Sequence, residues 1–189
     1  MRISSRRLPS AVVLAAIILS AILPACHKSS KAAGGRTFYD SLGGTTLVTD
    51  PENFGQTVEK GYLTIRTIVD SALLIIQADT LINDYFSIMV VQDTLHETPT
   101  EFDKLSLNIT DFLAVAAGAK NFSYSGPDLH AAHDPGSNPN MPARVDSAAF
   151  NEFAFDFGQS ALRYAGLNYQ LISQLGTLLY RYEGQVVQP

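Results

Sequence analysis

Four stretches of this chain place apolar residues at steps of three and four, a period that commits most of it to packed helices. From Thr57 to Ala78 the residues Ile65, Ile68, Val69, Ala72, Leu73 and Ile76 mark one buried helix face. Leu74 and Ile75 widen that face and predict a deeply packed helix. Between Thr100 and Gly118 the set Phe102, Leu105, Ile109, Phe112, Leu113 and Ala116 keeps the period, with Thr100 and Asp103 as a capping pair and Gly118 as the stop. Asp146 to Ala165 carries Ala149, Phe150, Phe153, Phe157, Ala161 and Tyr164, and Leu171 to Val187 carries Leu175, Leu178, Leu179, Tyr182 and Val186. Gly166 and Asn168 break these last two apart, which predicts an antiparallel pair. The alternation at Phe153, Phe155 and Phe157 gives way to the helical period on both sides. No hairpin signal is present, and Asp134 to Pro142, with three prolines in nine residues, reads as a loop.

Charge and the N-terminus narrow the setting. Arg2, Arg6 and Arg7 precede Cys26, so the rest of the chain holds 10 of the 13 basic residues against all 18 acidic ones, about −8. Without a basic cluster, such an acidic surface does not suit nucleic acid. The three arginines and the apolar run from Leu8 to Leu23 fit an export signal, too short for an ordinary membrane span. Leu23-Pro-Ala-Cys26 resembles the bacterial lipobox, in which the cysteine is acylated and becomes the new N-terminus. Cys26 is the one cysteine in the chain and cannot form an internal disulfide. The reading divides the chain into a lipoprotein signal peptide (1–25), a flexible tether (26–36) and one folded domain (37–189). It implies an exported protein held on a membrane by its lipid, on the periplasmic or cell-surface side, since each buried methylene contributes about 0.8 kcal/mol.

Beyond helical period, the order of local motifs resembles group I truncated hemoglobins. TFYDSLGG at 37–44 is similar to their opening, a short helix ending at a Gly-Gly pair. Val69 to Phe86 resembles their second helix and its turn into a heme-contacting phenylalanine. YSGPDLHAAH at 124–133 is similar to the Tyr-x-Gly lead into a short helix whose histidine binds heme iron. Val145, Phe150 and the break at Ala165-Gly166-Leu167 follow the last two helices. The resemblance implies an all-α, two-over-two helical sandwich around one heme b, with His133 as iron ligand. Phe86, Leu73, Leu105, Asn108, Ile109, Leu129, Val145 and Phe150 would then line the heme slot. The implied function is binding of a diatomic gas, oxygen, nitric oxide or carbon monoxide, for sensing, scavenging or transport.

The departures from the family are specific. Thr45 to Gly61, Ser87 to Thr100 and Asp134 to Pro142 are longer than in short members, and Gly118 alone remains of a second Gly-Gly pair. Where the family usually has a ligand-binding tyrosine the alignment gives Leu73, and positions that can carry a glutamine give Leu105 and Ile109. Asn108 is the nearest polar side chain on that helix, with Tyr62, Tyr85 and His96 available only through loop folding. Loss of a charge-assisted hydrogen bond costs bound oxygen about 1.5–3 kcal/mol, which predicts fast oxygen release.

Other readings of the same residues stay open. His130 and His133 stand three apart between Asp128 and Asp134, a spacing that suits a divalent metal. His96 as a second iron ligand would make a bis-histidine electron-transfer protein, and a heme-free helical lipoprotein would be an interaction module. Nitric oxide dioxygenase or peroxidase-like chemistry is accessible to a heme protein, but no acid–base pair in the sequence points to it. The redox partner is not legible in the sequence.

Overall fold

The computed structural model describes residues 35–95 and 100–188, with no side-chain detail for 92–95. The expected signal peptide, Cys26, most of the tether and His96 lie outside the described residues. The residues from Arg36 onward form one compact unit.

In chain order the elements are α1 (Phe38–Ser41), β1 (Leu47–Thr49), β2 (Thr57–Glu59), α2 (Lys60–Ala78), a 3-10 turn (Asn83–Phe86), α3 (Ser87–Leu95), α4 (Glu101–Ala117), α5 (Leu129–His133), α6 (Ser147–Arg163), α7 (Tyr169–Tyr180) and α8 (Glu183–Val186). Helix α2 packs on α4 in one layer and on α6 in the other, and α6 packs on α7. The result is the all-α, two-over-two sandwich. Alanines at the crossings let the helices approach: Ala72, Ala114 and Ala161 are fully buried, beside Val69, Ile76 and Phe157. Ser160 Oγ donates to the Ile68 carbonyl at 2.7 Å, a buried bond across the α2–α6 contact. Each fully buried Phe or Ile contributes roughly 1.5–3 kcal/mol relative to exposure.

Helix ends follow the local code. Thr100 and Asp103 form a reciprocal capping box, Asp146 and Asn168 cap α6 and α7, and Gly118 closes α4 at φ +104°. A Cβ on Gly118 would stand 2.8 Å from Thr37 Cβ, so this glycine is required by its backbone and by its neighbour.

Three expectations are corrected. The long segment after Gly44 is an antiparallel hairpin with Val48 paired to Val58, where no strand signal is visible, and its second strand takes Thr57–Glu59 from the expected start of the helix. Three-residue strands are too short to show a period, and polar contacts hold the turn: Asp50 accepts from Glu52 N, Asn53 Nδ2 and Arg66 Nη2. Leu74 is 67% exposed, so the buried face of α2 is narrower than its apolar content suggests. The last helix ends at Tyr180 and resumes at Glu183, after which Val187 pairs with Val145 and Gln188 N donates to the Val145 carbonyl.

Candidate functional site

A cavity of about 470 Å³ opens between the 3-10 turn with α3, helices α4 and α5, and the start of α6. Its walls are mainly apolar: Phe86, Met89, Leu105, Ile109, Phe112, Leu129, Val145 and Phe150 contribute. Such volume and lining fall in the range of small-molecule and cofactor sites.

His133 lines this cavity. The chain delivers it there through a series of local constraints. The Tyr124 ring folds back over Gly126, where any Cβ would lie 2.5 Å from it, and its hydroxyl donates to the Pro127 carbonyl at 2.6 Å. Asp128 then caps α5 by accepting from His130 N and Ala131 N. One turn later His133 Nδ1 meets the Leu129 carbonyl at 2.7 Å. A carbonyl only accepts, so Nδ1 carries the proton and Nε2 is the nitrogen left with a lone pair. Burial lowers the His133 pKa from its ordinary value, outweighing the raising effect of the Leu129 bond. The imidazole is therefore held neutral, in one tautomer, at the wall of an apolar slot.

Seven of the eight expected lining residues meet here: Phe86, Leu105, Asn108, Ile109, Leu129, Val145 and Phe150. Leu73 does not line the cavity. It is 4% exposed, on the α2 face taken up by core packing, and α2 contributes no lining residue. Asn108 stands at the edge, on an exposed position of α4. Tyr62 turns elsewhere, stacking on Phe122 at 4.1 Å and donating to Asp111 at 2.8 Å.

Several wall residues lie outside the eight expected ones, and Tyr85 enters by the loop folding that the sequence leaves open. Tyr85 lines the cavity and donates its hydroxyl to the Arg144 carbonyl at 3.3 Å. Phe112 and Tyr182, at 4.8 Å and edge-on, join the wall, and both already belonged to the helical apolar sets. Two of the extended segments reach the cavity: Met89 on α3, and Asn138 and Met141 from the loop after His133. The hairpin segment contributes no lining residue.

The histidine pair does not gather a metal set among the described residues. Asp128 is spent on the α5 cap, and Asp134 accepts from Gly136 N and Ser137 Oγ.

The folded part is similar to the crystal structure of a truncated hemoglobin from Tetrahymena pyriformis, a Tyr-to-Phe variant in its Fe(III) form. The TM-score is 0.56 and the identity 16%, over 81% of this chain and 99% of that one. No protein-family model and no curated protein matches the chain. At this identity the likeness establishes the fold, a truncated-hemoglobin helical sandwich.

Proposed function

We propose that this chain is a group I-like truncated globin that binds one heme b through His133 and holds a diatomic gas, on a membrane surface to which Cys26 lipid anchors it. The observation that carries the reading is the His133 Nδ1 bond to the Leu129 carbonyl at 2.7 Å, which readies Nε2 as a metal ligand beside an apolar cavity.

The residues present fit heme. Its apolar disc matches walls of Phe86, Leu105, Ile109, Leu129, Val145 and Phe150. When bound, heme iron supplies a coordination position for oxygen, nitric oxide or carbon monoxide. The chain's own residues do the rest. Leu129 holds the imidazole in one tautomer, the apolar walls disfavour water, and helix α3 with Met89 and the loop with Met141 add to the lining. Polar help for a gas ligand is scarce: Asn108 is exposed, and Tyr85 has already donated its one O–H. Oxygen therefore leaves fast compared with a pocket that carries a free tyrosine hydroxyl.

The test is the visible spectrum of the full chain in detergent after hemin is added. A one-to-one Soret band that disappears in His133→Ala supports the reading. No heme uptake by the folded wild-type chain overturns it and favours a heme-free interaction module. A six-coordinate ferrous spectrum that reverts in His96→Ala would instead mark the bis-histidine variant. Acylation is tested by labelling with a radioactive fatty acid, which Cys26→Ala must abolish.

A further inference from the structure

Outside the cavity lining, three carboxylates converge without a basic partner. One oxygen each from Asp79, Glu152 and Asp156 lies within 4.8 Å of the others. Glu152 and Asp156 stand one turn apart on α6, and Asp79 is the residue that ends α2. Asp156 is 3% exposed, and both its Oδ2 and the Oδ2 of Asp79 are shielded from solvent with no hydrogen-bond partner. The ion pairs among the described residues, Arg66 with Asp50 and Glu52 and Lys104 with Glu101, include none of the three.

A buried carboxylate oxygen with no partner is costly, and two like charges beside it add to the cost. The C-terminal end of α2 contributes further negative potential at the same place. A cation would relieve all of these terms together. We propose that Asp79, Glu152 and Asp156 bind a hard divalent cation, calcium by preference, at the junction of α2 and α6. The donors are all oxygens, which selects calcium, magnesium or manganese over zinc or copper. Calcium accepts six to eight oxygens in a flexible shell, whereas magnesium demands near-ideal octahedral geometry and gives up its waters reluctantly. Water and backbone carbonyls would complete the shell.

The site has a structural consequence independent of what fills the cavity. Asp79 opens the turn toward the 3-10 segment, with Oδ1 accepting from Leu81 N and its carbonyl from Asn83 N, each at 2.9 Å. A cation there would pin this turn, which leads to Tyr85 and Phe86.

The experiment is calorimetric titration of the metal-stripped full chain with calcium chloride, with magnesium and manganese in parallel, and thermal unfolding with and without calcium. We expect one calcium per chain, with Kd on the order of 10⁻⁵–10⁻³ M, and a calcium-dependent rise in Tm. Glu152→Gln and Asp156→Asn should each weaken binding at least about tenfold. In chelator, Asp156→Asn should be no less stable than wild type, because it removes the unpartnered charge. Failure of all three cations to give heat or a Tm change at millimolar concentration overturns the site. So does Glu152→Gln with unchanged affinity, a variant that serves even if Asp156→Asn does not fold. Tighter binding of magnesium than calcium overturns the preference.

Discussion

Gly126→Ala is a small perturbation whose cost can be worked from the contacts of one ring. The added methyl would lie 2.5 Å from Tyr124 ring atoms, too close to coexist, while Gly126 is not one of the glycines with positive φ. The backbone therefore tolerates alanine, and the ring must leave. Tyr124 then gives up its hydrogen bond to the Pro127 carbonyl and its edge-on contact with Phe112 at 5.4 Å. A neutral hydrogen bond in this half-exposed setting is worth about 0.5–1 kcal/mol net, and an aromatic pair about 0.5–1.5. The sum, about 1–2.5 kcal/mol, corresponds to a Tm lower by roughly 2–10 °C for a domain of this size. Urea unfolding followed by circular dichroism measures it, best as a double-mutant cycle with Tyr124→Ala. In the Tyr124→Ala background Gly126→Ala should cost close to nothing, because the clash has been removed. Equal costs in both backgrounds would refute the account of this turn. The same variant should weaken the proposed heme binding, since Tyr124 and Pro127 also line the cavity and lead into α5.

Gly118→Ala should cost more than about 1 kcal/mol in urea unfolding, and Thr37→Ser should not rescue it, since φ +104° remains strained for alanine. Phe157→Ala, at a fully buried position packed 4.5 Å from Phe153, should cost about 3–5 kcal/mol with an unchanged urea m-value. Arg66, Asn53 and the Glu52 N–H hold the Asp50 carboxyl below its ordinary value of 3.8. The stability this adds is present above that value and is lost as pH falls through it and below, so Asp50→Asn should flatten the acid limb of a stability-versus-pH curve. For the proposed heme site, stopped-flow oxygen dissociation should be fast and little altered in Tyr85→Phe; slow release would contradict the account of the polar groups at the cavity.

Much of the fold is legible because helices are local. The apolar sets of α4 and α6 reappear within a residue or two of their expected bounds, since capping by Thr100, Asp146 and Gly118 depends on neighbours in the chain. The hairpin is not legible, because Asp50 finds its partner Arg66 sixteen residues away and its strands are too short to carry a period. The cavity is partly legible. Phe86, Leu129 and His133 could be named from motif order, whereas Tyr85 and Met141 reach the wall through turns whose direction no local pattern encodes. Leu73 fails for a complementary reason: being apolar on α2 does not say whether a side chain faces the core or the slot.

By itself, then, the sequence determined the long core helices, the stops of α4 and α6 and the imidazole offered by α5, all consequences of interactions within a few residues. Only the tertiary structure decided which apolar residues close a core and which leave a cavity, because that depends on how α2, α4 and α6 cross. It also decided that Asp79 meets Glu152 and Asp156, residues more than seventy positions away in the chain. Electrostatic and cavity properties arise from distances between elements, and helical period carries no information about those distances.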